Sequence, residues 1–165
     1  MTKSSTANIR KTSAGKVAVN GGTMVIRAEV LVVQTRERIE LIDVTEAVIA
    51  FVGASGIREG TLSLWSMHTT CALFVNESQF ALHTDIKTFL EAIVARDAEW
   101  KHNDPDHSDC DRFNADSHLR AMLLGYDLTM QVTGGELVLG QWQRVLVGEL
   151  DGPRARSIRM QVIGC

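Results

Sequence analysis

Residues 24–33 of the chain read MVIRAEVLVV, a run rich in β-branched residues that begins with partial alternation of polar and apolar side chains. Such a run is typical of a β-strand. Similar runs elsewhere in the chain predict further strands at residues 61–67, 72–76, 128–133, 136–139, 142–150 and 157–163. The segments Gly134-Gly135 and Asp151-Gly152-Pro153 supply turns between them. The second half of the chain therefore reads as a series of short strands.

Three segments carry a helical period instead. Asp43 is expected to cap the first helix, whose apolar positions end before Gly53 to Gly56. The second helix is predicted to begin at Thr84 or Asp85, and the third runs from its cap at Asn114 to Leu124. Three helices and seven or eight strands, without regular βαβ alternation, predict an α+β fold. We expect a compact, sandwich-like mixed or antiparallel sheet with about three helices.

The length and the N-terminal composition suggest one domain with a tail. A chain of 165 residues is near the usual size for one hydrophobic core. Residues 1–22 are basic, rich in Ser and Thr and free of acidic residues, which predicts a flexible N-terminal tail. Residues 23–165 are predicted to form a single domain.

Charge and cysteine content limit the partners and the compartment. The net charge of −3 gives no basic surface for nucleic acid or an anionic membrane. The N-terminus lacks a signal-peptide core, and no apolar run approaches the roughly 20 residues of a membrane span. The three cysteines show no metal-binding or redox spacing, so a reducing, cytoplasmic location is expected. Cys71, among apolar neighbours, is predicted to be a buried thiol.

Three histidines are candidates for a metal or acid–base site. His68 ends an apolar strand, and His118 lies near the start of the third predicted helix. His102 and Asp104 point the same way if their segment is extended, in a polar loop (97–112) that is either functional or mobile. Neutral imidazoles and a carboxylate meeting at one point would suit zinc or a similar divalent ion. The spacing also allows satisfied structural histidines, or a metal-free acid–base site.

A second candidate group lies near the C-terminus. Arg154 and Arg156 would direct their guanidinium groups to one side of an extended backbone, which suits bidentate binding of phosphate or carboxylate. The alternative is that they form surface salt bridges with Glu149 and Asp151. Gln143 carries an amide that would orient a substrate. Glu77, at the end of a predicted strand, is either a candidate carboxylate or an ordinary turn residue.

Taken in order, three blocks of residues resemble the YjbQ-like family, which is described as secondary thiamine-phosphate synthases. The first block runs from His68 through Asn76-Glu77 to Asp85 and Phe89-Leu90, and the second from His102-Asn103-Asp104 through Asn114-Ala115 to His118-Leu119. The third runs from Gly135 through Trp142-Gln143 to Arg156. The resemblance covers about residues 23–165, and the first 22 residues have no counterpart.

The resemblance implies a compact α+β fold that assembles as a homotrimer, with a polar cleft for a phosphorylated small-molecule substrate. It implies an enzyme with secondary thiamine-phosphate synthase activity. The alternatives are a metal-dependent hydrolase or phosphatase, and a trimeric ligand-binding module without catalysis. A divalent ion, zinc or magnesium, is the expected cofactor. The predicted roles are catalysis by His68, Glu77, Asp104 and Glu149, ligand binding by Thr69, Asn114, Gln143, Arg154 and Arg156, and metal binding by His68, His102 and His118.

Overall fold

The computed structural model describes residues 22–165, so the predicted tail lies outside the described residues except for Gly22. In this part of the chain, eight strands and three helices follow one another in the order β1 (Val25–Gln34), β2 (Glu40–Asp43), α1 (Thr45–Ser55), β3 (Gly60–Ser66), β4 (Cys71–Asn76), α2 (Phe80–Ile93), α3 (Ala115–Leu124), β5 (Asp127–Thr133), β6 (Glu136–Leu137), β7 (Arg144–Glu149) and β8 (Ala155–Gly164). A short 3₁₀ turn, Lys101–Asn103, precedes α3.

The strands form two antiparallel sheets. The five-stranded sheet has the order β1-β8-β3-β5-β6, and the three-stranded sheet has the order β2-β7-β4. In the small sheet, Cys71 pairs with Glu149 and Asn76 pairs with Arg144. This register places the start of β4 beside the end of β7, and that corner of the sheet carries most of the candidate site.

The two sheets face each other across the main hydrophobic core. The inward positions of β3 and β8 alternate, so that Leu62, Leu64 and Val162 are fully buried while their neighbours along the strands are more exposed. Leu73 and Val147 point into the same core from the small sheet, and α1 packs against it. The alternation of apolar and polar residues along these strands thus places every second side chain in the buried layer between the sheets.

The opposite face of the small sheet is covered by helices. Ala72 and Leu150 pack there with Leu90 of α2 and Ala121 of α3. Gly148 completes this contact, because a Cβ atom there would lie 3.4 Å from the Cβ of Ala72. Helices α2 and α3 therefore lie on the side of the small sheet away from the five-stranded sheet. None of the helices in residues 22–165 is both long and apolar enough to cross a membrane.

The predicted α+β class with three helices is confirmed, and several boundaries move. Helix α2 begins at Phe80, before the predicted Thr84 or Asp85, because the Gln79 side chain accepts a hydrogen bond from the backbone N–H of Leu82 at 2.9 Å. Strand β2 was not predicted, since a four-residue strand leaves too short a pattern to recognise. The N-cap of α1 is Val44 and not the predicted Asp43, and Val44 makes no side-chain capping hydrogen bond. Asp43 lies one residue earlier, and its carboxylate accepts the backbone N–H of Thr45 at 2.9 Å.

Candidate functional site

The structure brings two of the three candidate histidines into direct contact. His102 lies in the 3₁₀ turn and His118 in the first turn of α3, and their rings meet edge to face with centroids 5.0 Å apart. Asn103 joins the two elements, because its side-chain oxygen accepts the backbone N–H of Ala115 at 3.0 Å. The hydrogen bond that holds the turn against the helix therefore also sets the distance between the two imidazoles.

The histidine pair lines a cavity of 390 Å³. Its other walls come from the neighbouring residues Trp100, Lys101, Ala115 and Leu119. The indole N–H of Trp100 donates to the carbonyl of Ala95 at 2.9 Å, which anchors one side of the cavity. The volume is of the size that ordinarily holds a small-molecule ligand.

The surroundings of His118 favour a neutral imidazole. Burial lowers the pKa of His118 below its ordinary value, and the neighbouring His102 lowers it further. Asp151, a hydrogen bond to the Thr69 backbone and Asp116 act in the opposite direction without reversing the shift. The Thr69 backbone thus lies beside the His118 ring.

His68 precedes Thr69, whose backbone contacts His118, but the His68 ring has a different hydrogen-bond partner. Its Nε2 atom accepts the backbone N–H of Ser157 at 2.8 Å, which requires the neutral tautomer with the proton on Nδ1. Burial and then the charge of Arg156 lower the pKa of His68, while Glu149 raises it. His68 and Thr69 line a separate cavity of 520 Å³, together with Trp65, Tyr126 and Arg159. His68 therefore lines a different cavity from the one that His102 and His118 line.

Glu149 and Arg156 form a buried ion pair behind His68. Both side chains are at most 1% exposed, and the Nε atom of Arg156 donates to Glu149 at 2.7 Å. Arg156 also donates to the hydroxyl and the carbonyl oxygen of Thr70. Of the two alternatives considered for Arg156, the salt bridge is the one observed, and it is buried. A guanidinium group so enclosed has no face open to a ligand.

Asp151 gathers a second group of charges. Its carboxylate is buried and accepts hydrogen bonds from Asn114 at 2.9 Å and from Arg154 at 3.1 Å. Arg38 and Arg112 bind the same carboxylate. Sequence reasoning identified Asn114 and Arg154 but missed these two arginines, because each reads as an ordinary solvated residue of a polar loop. Only the pairing of β2 with β7, which sets Glu40 opposite Glu149, brings Arg38 to this corner.

Two other predicted residues, Glu77 and Gln143, lie at the far end of the small sheet, and Asp104 binds His107. Glu77 follows the far end of β4, and Gln143 precedes β7 at that same end, about 17 Å along the sheet from Cys71. The register of β4 and β7 thus separates these two residues from the end of the small sheet near Cys71. Asp104 stays near His102 in sequence, but its carboxylate binds Nδ1 of His107 at 2.9 Å.

The donor set can be compared with what a metal ion needs. Within residues 22–165, no group of three or more His, Cys, Asp or Glu side chains is placed to hold a metal ion. The pair His102 and His118 supplies two imidazoles near each other. The two carboxylates that act electrostatically on His118, Asp151 and Asp116, are bound by arginines.

A family model described as "UPF0047 protein YjbQ-like" matches residues 29–165. The chain belongs to this family. Among its relatives, a UPF0047 protein from Methanothermobacter thermautotrophicus is 44% identical over 87% of this chain and 96% of its own length. The UPF0047 protein YugU from Bacillus subtilis is 30% identical over 81% of this chain and 97% of its own length. The resemblance inferred from the three sequence blocks is thereby confirmed.

Solved structures agree with this family assignment. A YbjQ-like protein of unknown function from Sulfolobus solfataricus superposes with a TM-score of 0.80 at 35% identity, covering 86% of this chain and 99% of its own. A hypothetical protein from Aeropyrum pernix gives a TM-score of 0.77 at 34% identity, covering 84% of this chain and 99% of its own. This UPF0047 member thus shares its fold with them.

The comparisons overturn the predicted activity. The resemblance implied secondary thiamine-phosphate synthase chemistry, yet the family is described only as UPF0047, and the Sulfolobus relative as a protein of unknown function. The names of these relatives carry no enzymatic activity. The expectation of a thiamine-phosphate synthase is therefore wrong, and the function must be argued from the geometry of the site.

Proposed function

We propose that the protein binds a divalent transition-metal ion between His102 and His118, with coordination positions left open for a small ligand. The observation that carries this proposal is the edge-to-face contact of the two rings, 5.0 Å between centroids, inside one cavity. Two imidazoles held that near each other lie within reach of one ion.

The protonation state of His118 supports the proposal. A histidine binds metal only as the neutral base, so a site that is formed at neutral pH needs imidazoles that resist protonation. Burial and the proximity of His102 lower the pKa of His118 in this direction. The hydrogen bond to the Thr69 backbone would fix the tautomer and the ring orientation, as a backbone carbonyl does behind many metal-bound histidines.

The donor type selects among ions. Imidazole nitrogen suits zinc, copper, nickel and iron, whereas magnesium prefers oxygen ligands and keeps its waters. The proposal therefore favours zinc over magnesium, the two ions expected from the sequence. When bound, such an ion would supply a positive centre for an anionic ligand atom in the cavity.

His68 has a different role in this proposal. As a third ligand it would have to use Nε2, the atom that now accepts the N–H of Ser157, or lose the proton on Nδ1. We assign it to positioning instead: it ties the segment before Thr69 to β8, and the Thr69 backbone in turn contacts His118. Asp104, which binds His107, has no assigned role in holding the ion.

Cobalt spectroscopy on the full chain tests the proposal. Co²⁺ added to the chelator-stripped protein should give visible d–d absorption bands that saturate near one ion per chain. The bands should be lost in His118→Ala and in His102→Ala. His107→Ala is the matched control, because that side chain is 54% exposed and contacts Asp104 instead of the pair. Bands of equal strength in all four proteins would refute the site.

We further propose that the chain self-associates through the outer face of the five-stranded sheet. Large apolar side chains are exposed there, with Ile26 at 56%, Val32 at 53% and Trp65 at 49%. Exposed apolar patches of this kind ordinarily mark association surfaces. Sedimentation equilibrium would give three times the 18.2 kDa chain mass for the expected homotrimer, and a mass of one chain would exclude it. The cytoplasmic location stays a prediction.

A further inference from the structure

Three arginines converge on one buried carboxylate at the corner where β7 meets β8. The Asp151 side chain is 3% exposed, and its Oδ2 atom accepts from Arg112 at 3.1 Å and from Arg154 at 3.1 Å. Its Oδ1 atom accepts from Arg38 at 3.2 Å. We call Arg38, Arg112 and Arg154 the arginine cluster.

The ion pairs of the arginine cluster form a network that contains more arginines than carboxylates. Arg38 also pairs with Asp116, which in turn pairs with Arg120, and Arg120 pairs with Glu91. The connected network therefore has four guanidinium groups against three carboxylates, namely Asp116, Asp151 and Glu91. The neighbouring Glu149 and Arg156 neutralise each other and do not change this balance. Within this network of ion pairs, the guanidinium groups therefore outnumber the carboxylates by one.

The arginine cluster is also held in place before any ligand arrives. Its side chains are partly exposed, at 26% for Arg38, 49% for Arg112 and 33% for Arg154, while the carboxylate behind them is buried. Each guanidinium carries five N–H donors, so anchoring to Asp151 uses only part of each group. Asn114, the N-cap of α3, also donates a hydrogen bond to this carboxylate and helps to fix its position. Positioned donors with an exposed edge lose little conformational entropy on binding an anion.

We propose that the arginine cluster is a binding site for a tetrahedral oxyanion, the phosphate or sulfate group of a small molecule. Three guanidinium groups offer more donors than a planar carboxylate ligand accepts, and they match the three terminal oxygens of a phosphate group. The site does not depend on a metal ion, since none of its donors is a proposed metal ligand. It adjoins the histidine pair along the chain, because Asn114, which donates to Asp151, is the N-cap of the helix that carries His118.

A purely structural role is the competing explanation. Arg112 lies in the loop before α3, and its contact with Asp151 also pins that loop to the start of β8. A structural role predicts that replacing Arg112 lowers stability and that the wild-type protein has no affinity for anions. The proposal predicts measurable affinity in the wild-type protein.

Calorimetry with inorganic phosphate and with sulfate tests the proposal on the full chain in EDTA, which removes any contribution from bound metal. Saturable binding of one anion per chain is expected. Arg154→Gln and Arg112→Gln should each weaken binding by about tenfold, the effect of losing one charge-assisted contact. Arg27→Gln is the control, because Arg27 is exposed on β1 and its side chain donates to the carbonyl of the neighbouring Ile26.

Three results would overturn the proposal. The first is absence of saturable binding by the wild-type protein, and the second is equal affinity of the cluster variants and the Arg27→Gln control. The third is acetate binding as tightly as phosphate, which would remove the tetrahedral assignment. Circular dichroism of each variant shows whether it folds. If Arg112→Gln unfolds, Arg112→Lys keeps the charge and should retain weakened phosphate binding. These outcomes are independent of the cobalt experiment, so the two sites succeed or fail separately.

Discussion

Glu149 and Arg156, seven residues apart in the chain, form a fully buried ion pair that organises the turn between β7 and β8. One carboxylate oxygen of Glu149 accepts the Nε–H of Arg156 at 2.7 Å and the hydroxyl of Thr35 at 2.9 Å. The other accepts the backbone N–H of Asp151 at 2.8 Å. A single carboxylate thus holds the strand end, the turn and the start of β8 together.

Glu149→Gln removes this charge without changing the shape of the side chain. Arg156 is then left as an uncompensated charge in the interior, and the free energy of unfolding should fall by about 3–5 kcal/mol. Urea unfolding measures the change, with Glu29→Gln on the exposed surface of β1 as the control. Replacing Glu149 and Arg156 together by Met should cost less than Glu149→Gln alone. A loss below about 1 kcal/mol for the single change would contradict the pairing.

Two glycines give opposite predictions for the same substitution. A Cβ atom on Gly60 would lie 2.3 Å from the carbonyl oxygen of Ile163, whereas one on Gly53 meets nothing within 4 Å. Gly60→Ala should therefore destabilise the protein by about 1–3 kcal/mol through overpacking. Gly53→Ala, within α1, should stabilise it by about 0.5–1 kcal/mol. Thermal unfolding of both variants checks the pair, and equal shifts in the same direction would refute the account of β3 and β8.

Asp43 links stability to pH. Burial raises the pKa of its carboxyl, but hydrogen bonds from Thr45 and Arg144 and the Arg144 charge together lower it below the ordinary value. A lowered pKa stabilises the folded state above the unfolded value, and this contribution is lost as the pH falls through the folded pKa. At pH 7 the free energy of unfolding of the wild-type protein should exceed that of Asp43→Asn by about 0.5–1 kcal/mol. This difference should shrink below about pH 4. Urea unfolding at pH 7 and pH 3 measures it, and an unchanged difference would count against the prediction.

The tautomer of His68 is a further prediction. Because Nε2 accepts the N–H of Ser157, the proton should reside on Nδ1 at neutral pH. The pKa of His68 is lower in the folded state than in the unfolded state. Its contribution to stability is therefore fully present above the unfolded-state pKa, and it is lost as the pH falls through the folded-state pKa. Two-bond ¹H–¹⁵N NMR spectra distinguish the tautomers directly. A protonated Nε2 at pH 7.5 would show that the contact with Ser157 is absent.

The fold was predictable from the sequence because alternation and helical period act locally. The runs that became β3, β4 and β8, and the helix that begins after Asn114, needed only neighbouring residues to be recognised. Strand β2 and the early start of α2 were missed, since four residues carry little pattern and Gln79 is an uncommon cap.

The site was only partly predictable because it depends on register. His102 and His118 do meet, and Asn114 and Arg154 do share Asp151. Glu77 and His68 were both predicted to be catalytic residues, but strand β4 lies between them and places Glu77 at the other end of the small sheet. Arg38 reaches Asp151 because β2 pairs with β7, and no local sequence motif predicts that pairing. Arg156 looked like a ligand-binding residue because its burial is decided by contacts distant in sequence.

The zinc affinity of the chelator-stripped protein, measured by competition with a chromophoric chelator, tests the central claim most directly. The account predicts one tight site per chain that His102→Ala and His118→Ala each weaken by at least about tenfold, as expected for loss of one of two protein ligands. His68→Ala should weaken it less, because His68 acts only through Thr69. Wild-type protein that binds no zinc, or a His118→Ala variant that binds zinc as tightly as the wild type, would contradict it.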